Sequence, residues 1–247
     1  MAKKKCVMFG LTTFAQMLRV YMERYSDVEV EAYIVDAQYK NSDEFDGLPV
    51  EAFENIEKVY PADQYSVIIG LGYSKMNDLR KQKFLQVKEK GYVIQGFIHP
   101  SVIESMKECG EGNIIFEGAV LGYNVKLGNG NIIWNGCNIS HESVIGDFNH
   151  FSAGTTLGGK TVVENNCFFG MNSVIRGPKT VADYTLVGAG CYISDNTEPY
   201  GVYVPARSVH LENKKSTDSK IKKKEIENVK KIISEEYNIS KDKIEVN

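Results

Sequence analysis

Residues 113–159 read NIIFEGAVLGYNVKLGNGNIIWNGCNISHESVIGDFNHFSAGTTLGG, a stretch in which an apolar residue returns every six positions. The same spacing continues on both sides of this stretch, from Phe97 to Ile193. The residues at this spacing are Phe97, Ile103, Cys109, Ile115, Leu121, Leu127, Ile133, Ile139, Ile145, Phe151, Leu157, Val163, Phe169, Ile175, Val181, Val187 and Ile193. Since only 43% of the chain is apolar, chance does not account for such a run.

This period of six differs from the 3.6 residues of an α-helix and from the two of a strand. Glycine often follows the apolar position, at 110, 122, 128, 146, 158, 170 and 188. A small residue often stands two positions before it, at 101, 119, 143, 155, 161, 173 and 185. Small residues and glycine permit a tight corner, while the large residue points inward. The pattern predicts a left-handed parallel β-helix of hexapeptide repeats over residues 97–207, three repeats to a coil, with the apolar residues stacked along its axis as a continuous core.

Residues 1–96 show a different pattern, which predicts an α/β domain. The predicted elements are a strand at 5–10, a helix at 14–25, a strand at 28–35, a strand at 66–69 and a charged helix at 75–90. A strand, a glycine turn, a helix and a second strand that ends at an acid are the parts of a Rossmann-like βαβ unit. We therefore expect a Rossmann-like nucleotide-binding domain ahead of the β-helix.

The candidate nucleotide-binding residues of this domain follow its strands. The turn Gly10-Leu11-Thr12-Thr13 lacks the second and third glycines of the dinucleotide fingerprint, so a packing turn and a nucleotide-contacting turn both fit it. Asp36 could accept from a ribose hydroxyl or cap an exposed turn. The segment 70–75 could place backbone N–H groups and a lysine near phosphates. The candidates are Gly10, Thr12, Thr13, Asp36, Gly72, Tyr73 and Lys75.

Residues 208–247 follow the last repeat and are polar and rich in lysine at first. Apolar residues at 226, 229, 233 and 237 predict a linker followed by one amphipathic helix at 225–237. The segment 227–247 also resembles the opening helix of an acyl carrier protein. No Asp-Ser-Leu attachment site follows, so a packing helix is the favoured interpretation.

Composition excludes several classes of function. A formal net charge of −3 gives no electrostatic reason to expect nucleic acid as a partner. No apolar run approaches the roughly 20 residues that span a bilayer. The five cysteines form no CxxC pair and no metal-ligand spacing, so we expect no metal and a reducing, cytoplasmic location.

Two of the four histidines lie within ten residues of each other inside the repeat. His141, followed by Glu142, and His150 both fall outside the inward apolar positions, so we expect them on outer faces or corners that a ligand can reach. A histidine beside a carboxylate can serve as a general base, although a single exposed histidine is usually an ordinary surface residue.

The segment from His141 to His150, followed nine residues later by Gly159, resembles the PglD/NeuD-like sugar acetyltransferases of the hexapeptide superfamily. The resemblance covers about residues 4–207, with Phe97-Ile98-His99-Pro100-Ser101 and Gly201-Val202-Tyr203-Val204-Pro205-Ala206 at the two ends of the β-helix. It departs from that group at the glycine-poor turn after Gly10 and at Trp134, where the group has a smaller polar residue.

The resemblance implies roles for these residues. His141 would be the general base and Glu142 its orienting acid. His150, Gly159 and Gly158 would bind the acyl-CoA, with His150 at the thioester and a Gly159 N–H on its carbonyl. The N-terminal candidates would bind a sugar nucleotide. Acetyl-CoA would be the acyl donor, and the chain would form a homotrimer with its sites between neighbouring β-helices.

The leading hypothesis is therefore N-acetylation of the amino group of a nucleotide-linked deoxyamino sugar by direct attack, in surface polysaccharide synthesis. Three alternatives stay open at this point: O-acetylation of a sugar hydroxyl, transfer of a longer acyl group from coenzyme A or an acyl carrier, and a non-catalytic binding or assembly module.

Overall fold

The structure, a computed structural model, describes residues 3–206 together with 230, 231, 234, 235 and 240. The chain divides into two compact units, residues 1–205 and 206–247. The predicted helix at 225–237 and the carrier-like segment at 227–247 lie outside the described residues except at those five positions. No helix in the described part is both long enough and apolar enough to cross a bilayer.

The N-terminal part is an α/β layer. Its strands are β1 Lys4–Phe9, β2 Val28–Val35, β3 Glu44–Phe45, β4 Leu48–Ala52 and β5 Ser66–Ile69. Its helices are α1 Thr13–Tyr25, α2 Ile56–Val59 and α3 Asp78–Glu89, with 3₁₀ turns at Ala37–Tyr39 and Phe53–Asn55. Helix α3 begins three residues later than predicted, because residues 75–77 all take a positive φ.

The strand order in this layer is β3-β4-β2-β1-β5. All neighbours are parallel except the β3–β4 hairpin. Chain order therefore reverses at β1, with β2 on one side and β5 on the other, which is the Rossmann arrangement. A crevice at the carboxyl ends of β1 and β5 is where open α/β sheets bind ligands, so the turns after these two strands can face a nucleotide.

The β-helix follows as two-residue strands, which begin at six-residue intervals from β8 to β22. They are β6 Phe97–Ile98, β7 Ile103–Glu104, β8 Glu108–Cys109, β9 Ile114–Ile115, β10 Val120–Leu121, β11 Lys126–Leu127, β12 Ile132–Ile133, β13 Asn138–Ile139, β14 Val144–Ile145, β15 His150–Phe151, β16 Thr156–Leu157, β17 Val162–Val163, β18 Phe168–Phe169, β19 Val174–Ile175, β20 Thr180–Val181, β21 Leu186–Val187, β22 Tyr192–Ile193 and β23 Val202–Tyr203.

These strands stack in parallel on three faces of a prism. The first face runs from β7 through β10, β13, β16 and β19 to β22, the second from β8 through β11, β14 and β17 to β20, and the third from β6 through β9, β12, β15, β18 and β21 to β23. In the regular coils a residue pairs with the one 18 positions further on, as Ile132 does with His150. The predicted β-helix fold is confirmed.

The corners of the prism explain the small residues of the repeat. A residue with positive φ recurs every six positions at the corners, except at Pro178; these residues are at 112, 118, 124, 130, 136, 142, 148, 154, 160, 166, 172, 184 and 190. The glycine after the inward residue allows coils to approach closely, since a Cβ on Gly146 would lie 2.7 Å from the Glu164 carbonyl oxygen. Buried hydroxyls satisfy their own turns, as when Thr161 donates to the Gly158 oxygen at 2.6 Å.

The core of the prism contains the predicted inward residues from Ile115 to Ile193. The first three predicted positions are wrong. Phe97 packs with the N-terminal layer, Ile103 is 66% exposed and Cys109 is exposed. In this first coil Phe97 pairs with Ile114 and not with Ile115, so the register slips by one residue. The reason is that no coil lies below the first one, and the N-terminal layer supplies the packing for Phe97 instead.

The N-terminal layer packs on the third face of the prism. Helix α1 contributes Phe14 and Tyr21 to a cluster that includes Phe116 and Ile132 of the prism. The two parts also share a buried cation, because the guanidinium of Arg80 on α3 donates to main-chain oxygens of the β-helix. Its acceptors are the carbonyls of Gly130, Phe148 and Asn149 in the prism and of Gly72 in the N-terminal layer, together with Asn77 Oδ1. This packing places the loop after β5 directly over the third face.

Candidate active site

His141 and Glu142 lie in the corner between β13 and β14, where the first face meets the second. Glu142 takes a positive φ of 58° because it occupies the repeating left-handed corner position. Its carboxylate lies 3.0 Å from His141 Nδ1, and Lys160 Nζ lies 3.7 Å from the same oxygen. The His141 side chain is 57% exposed, which leaves Nε2 open to a ligand. The corner therefore presents an imidazole held by a carboxylate at its other nitrogen.

Gly159 lies one coil above His141, 18 residues further along the chain. A Cβ at this position would stand 2.5 Å from His141 Nε2 and 2.7 Å from Cε1, so only glycine leaves space for the imidazole. Among the residues that the structure describes, no acceptor takes the Gly159 N–H. An unpaired N–H beside the imidazole is available to an oxygen atom of a ligand.

Gly158 is predicted with Gly159 as an acyl-CoA contact, but both of its backbone polar groups make hydrogen bonds within the prism. Its N–H donates to the Ile175 oxygen at 2.8 Å, and its carbonyl accepts from Thr161. The backbone of Gly177 packs so closely over it that a Cβ would collide. Gly158 therefore cannot offer its N–H to a ligand. Glycine is needed at this position because a side chain would prevent the close stacking of two coils.

His150 lies on β15 of the third face and is only 4% exposed. The expectation that it lies on an outer face is met, but the N-terminal layer covers it. Trp134 Nε1–H donates to its Nε2 at 3.1 Å, and its ring stacks on Phe168 with centroids 5.2 Å apart. Burial, with a smaller effect of the Arg80 charge, lowers the pKa of His150 from 6.5 to about 3. His150 is therefore a neutral imidazole.

The hydrogen bond from Trp134 also decides which nitrogen of His150 carries the proton. An indole N–H can only donate, so Nε2 must accept and the proton of the neutral ring sits on Nδ1. That Nδ1 is buried and has no partner among the described residues. Because the unpaired Nδ1–H is buried, His150 presents its ring surface to a ligand and not an accessible N–H.

A cavity of about 530 Å³ opens between His150 and the N-terminal layer. Its wall consists of Phe14, Gly72, Tyr73, Trp134, His150, Ser152, Ala153, Phe168, Gly170, Met171 and Ala189. We call it the aromatic cavity. It contains two of the predicted nucleotide-binding residues, Gly72 and Tyr73. Tyr73 lies edge-on to His150 with ring centroids 5.2 Å apart.

The structure does not bring His141 and His150 into one cavity. His141 lies at the corner between the first and second faces, whereas His150 lies on the third face. His141 and Gly159 are absent from the wall of the aromatic cavity. A single chain therefore presents the two predicted histidines in two separate places.

A second cavity, of about 550 Å³, lies at the crevice where the Rossmann sheet reverses. Four of the predicted residues line it, namely Gly10, Thr12, Asp36 and Lys75. Gly10 needs its glycine, because its φ is 116° and a Cβ would lie 3.0 Å from the Gly70 oxygen. Thr13 is the exposed first residue of α1 and lines neither cavity. We call this second one the crevice cavity.

Two polar side chains of the crevice cavity already have protein partners. Asp36 Oδ1 lies 2.5 Å from Nζ of Lys83, whose side chain is 8% exposed. Thr12 Oγ1 accepts from the Ala15 N–H at 3.0 Å and donates to the Gly70 oxygen at 3.0 Å. Thr12 is therefore the N-cap of α1. The helix N-terminus and the second Asp36 oxygen are the groups that a nucleotide could use.

Sequence reasoning missed several residues of these sites. Phe14, Phe168 and Met171 line the aromatic cavity, and Lys83 lines the crevice cavity. Phe14 is the first residue of the predicted helix at 14–25, and Phe168 precedes an inward position. The residues of the aromatic cavity come together through packing between the two halves of the chain, and Lys83 reaches the crevice cavity from α3 within the N-terminal layer. No motif signals such packing. The described residues contain no group of three His, Cys, Asp or Glu side chains that could hold a metal ion.

Comparison with known proteins gives a match in structure only. No protein-family model and no curated protein matches the sequence. Among solved structures, the acetyltransferase domain of PglB from Neisseria gonorrhoeae FA1090 matches with a TM-score of 0.68 at 19% identity, over 79% of this chain and 94% of that one. WeeI from Acinetobacter baumannii AYE matches with a TM-score of 0.64 at 20% identity, over 80% and 93%.

A further match is a histidine-to-alanine mutant of GDP-perosamine N-acetyltransferase from Caulobacter crescentus, in complex with CoA and GDP-perosamine. Its TM-score is 0.72 at 20% identity, over 80% of this chain and 92% of that one. These similarities show that the chain shares the fold of those proteins over both the N-terminal layer and the β-helix.

Proposed function

We propose that this protein is an acetyl-CoA-dependent N-acetyltransferase that acts on the amino group of a nucleotide-linked deoxyamino sugar. The observation that carries the proposal is the corner at His141, where a carboxylate-held imidazole and an unpaired Gly159 N–H lie side by side. The shared fold adds support, since the similar proteins include an acetyltransferase domain in complex with acetyl coenzyme A and a GDP-perosamine N-acetyltransferase in complex with CoA and GDP-perosamine.

The corner supplies the groups that acyl transfer to an amine needs. The amino nitrogen attacks the thioester carbonyl carbon while His141 Nε2 takes its proton. Glu142 stabilises the resulting imidazolium through Nδ1. The Gly159 N–H donates to the carbonyl oxygen as it becomes an oxyanion, an effect of about 3 kcal/mol where such donors have been removed. The tetrahedral intermediate then expels the CoA thiolate, which takes a proton from the imidazolium.

Acetyl-CoA is a donor substrate in this proposal, and no metal takes part. The thioester would lie against Gly159 at one side and against His150 at the other. His150 would contribute its ring face, because its Nε2 is occupied by Trp134. Gly158 would shape the coil beneath Gly159 and make no hydrogen bond to the donor.

The sugar nucleotide would bind in the crevice cavity and extend towards the aromatic cavity. Backbone N–H groups at the start of α1, near Thr13, suit a pyrophosphate, and Lys75 adds a positive charge. Asp36 would accept from a ribose hydroxyl through the oxygen that Lys83 leaves free. Gly72 and Tyr73 lie in the loop after β5, which lines the aromatic cavity, and so would contact the sugar.

The separation of His141 from His150 supports a homotrimer. A donor that touches both histidines needs the corner of one β-helix beside the third face of another. Three prisms around an axis provide this arrangement three times over by symmetry. The five cysteines are free in the structure, which supports the proposed cytoplasmic location.

The test is an assay of thiol release from acetyl-CoA with a panel of nucleotide-linked amino sugars and their matched hydroxy sugars. The proposal expects release with an amino sugar, no release with its hydroxy counterpart, and loss of release in His141→Ala. Size-exclusion chromatography with light scattering should give a trimer for both proteins, because His141 is exposed. Near-native turnover by His141→Ala, or release with hydroxy sugars only, would contradict it.

A further inference from the structure

The loop between β5 and α3, residues 70–77, forms part of the wall of both cavities. Gly72 and Tyr73 line the aromatic cavity, whereas Leu71 and Lys75 line the crevice cavity. In the proposed function this one loop therefore contacts both the sugar and the phosphates of the acceptor. Its conformation decides whether the two ends of the acceptor can bind at the same time.

The end of this loop has a backbone conformation that its side chains disfavour. Lys75, Met76 and Asn77 follow one another with φ of 52°, 49° and 69°. Elsewhere in the described part of the chain, non-glycine residues with positive φ occur singly. The left-handed backbone crowds the Cβ of an L residue, and lysine and methionine lack the short polar side chain with which asparagine offsets this cost. Such a stretch persists only where its surroundings hold it.

Two buried asparagines hold this stretch against the prism. Asn77 and Asn166 are both fully buried, with 0% of each exposed. Asn77, in the loop, donates from Nδ2 to the Cys167 oxygen of the prism at 3.1 Å. Asn166, at the corner between the second and third faces, donates from Nδ2 to the Met76 oxygen and to Asp78 Oδ1, each at 3.1 Å. Each half of the molecule thus supplies one side-chain donor to the other half.

We propose that Asn77 and Asn166 are positioning residues, which hold the loop 70–77 in the left-handed form that receives the sugar nucleotide. The inference rests on the proposed function, which places the acceptor against this loop. Neither asparagine lines the aromatic or the crevice cavity, so each acts through the loop and not on the substrate. Without one of them, a part of the molecules would hold the loop in another conformation. The apparent affinity for the acceptor falls with the fraction that is competent to bind.

The experiment measures kcat and KM for the sugar nucleotide and for acetyl-CoA in Asn166→Gly and, separately, in Asn77→Gly. Glycine takes a positive φ freely, and it already stands at the same corner as Asn166 in other coils, at 112 and 130. The exchange therefore removes the side-chain donor and leaves the backbone unstrained. The KM for the sugar nucleotide should rise about tenfold, while kcat and the KM for acetyl-CoA stay within about twofold of the wild type, because a saturating acceptor selects the competent loop.

Two further variants separate positioning from a general effect on the prism. Asn124→Gly is the matched control, since Asn124 takes a φ of 58° at a different corner, between the first and second faces, and its exchange should leave the KM for the sugar nucleotide unchanged. Met76→Gly removes the Cβ that disfavours the left-handed loop, and Met76 lines neither cavity. The double variant Met76→Gly/Asn166→Gly should regain most of the affinity for the sugar nucleotide that Asn166→Gly loses. A glycine in the loop could not repair damage to the prism.

The outcomes distinguish this inference from the proposed function. An unchanged KM for the sugar nucleotide in both asparagine variants would overturn the inference and leave the acetyltransferase standing. Equal rises in the KM for both substrates, or a loss that Met76→Gly does not reduce, would overturn it as well. Absence of thiol release in the wild type would overturn the proposed function alone. Calorimetric titration with UDP and GDP then tests the loop directly: weaker binding by Asn166→Gly than by the wild type supports the inference, and equal or no binding overturns it.

Discussion

The imidazole of His141 rests on the backbone of Gly159, one coil further along the prism, so closely that a Cβ at 159 would stand 2.5 Å from Nε2. The same two residues supply the base and the oxyanion donor of the proposed reaction. Their contact is a product of the β-helix, because an 18-residue coil stacks position 159 directly above position 141. The His141 ring can therefore hold this position only while residue 159 is glycine.

Gly159→Ala should lower kcat by about 10²-fold, because the added methyl group displaces the imidazole by about an ångström from its working position. Stability should change by less than about 0.5 kcal/mol, since the corner is exposed and position 159 has no positive φ. Thiol release and thermal unfolding measure the two effects. The double variant with His141→Ala is the control: it should be no slower than His141→Ala alone, because the methyl group acts through the ring. A further loss in the double variant would mean that the added methyl group disturbs the site by a route other than the His141 ring.

Glu142→Gln should lower kcat by at least about tenfold and leave the fold intact. The amide keeps the shape of the side chain and the left-handed backbone, but it cannot stabilise an imidazolium and can hold the wrong tautomer. Lys160→Met is the matched control, because Lys160 touches the same carboxylate from an exposed position and such contacts contribute little. Equal losses in the two variants would mean that the charge of the corner matters and the orientation of His141 does not.

His150 should make the protein less stable as the pH falls below about 6.5. Burial holds its folded-state pKa near 3, so between these two pH values the unfolded chain binds a proton that the folded chain does not. The free energy of unfolding therefore rises with pH across this window, and this contribution is lost as pH falls, by up to about 1.4 kcal/mol per pH unit. Urea unfolding at pH 7.5, 6.5 and 5.5 should show a steeper loss in the wild type than in His150→Phe. Parallel curves would mean that His150 is protonated in the folded protein.

Arg80→Met should lower the free energy of unfolding by about 3 kcal/mol. Arg80 is 2% exposed, and its guanidinium bonds to oxygens on both halves of the molecule, which methionine would leave without their donor. Burial lowers the pKa of Arg80 to about 9, so the side chain is still charged at neutral pH. The control is Arg176→Met, an exposed arginine of the prism, for which a change within about 0.5 kcal/mol is expected. Similar losses in denaturant titrations of both variants would show that Arg80 does not join the two halves.

Much of this architecture could be predicted from the sequence because a coil repeats the same local contacts. Each inward residue from Ile115 to Ile193 has the same neighbours one coil above and below, so a six-residue period is enough to locate the core. The same period places Gly159 above His141, and Glu142 is adjacent to His141 in the chain. The first coil differs: Phe97 and Ile103 have no coil beneath them, and each pairs one residue out of the regular register. Phe97 packs against the N-terminal layer, whereas Ile103 is exposed.

The sequence by itself thus determined the β-helix, the Rossmann-like layer and the corner at His141, since all three depend on contacts at short or regular separations. Only the tertiary structure decided how the two halves meet. The aromatic cavity under Tyr73 arises where they meet. Tertiary packing within one half produces the Trp134–His150 hydrogen bond of the prism and the Asp36–Lys83 ion pair of the N-terminal layer. The hydrogen bond from the Gly158 N–H to the Ile175 oxygen also depends on the stacking of two coils. These features join residues that are distant or irregularly spaced in the chain, and no local period encodes such a contact.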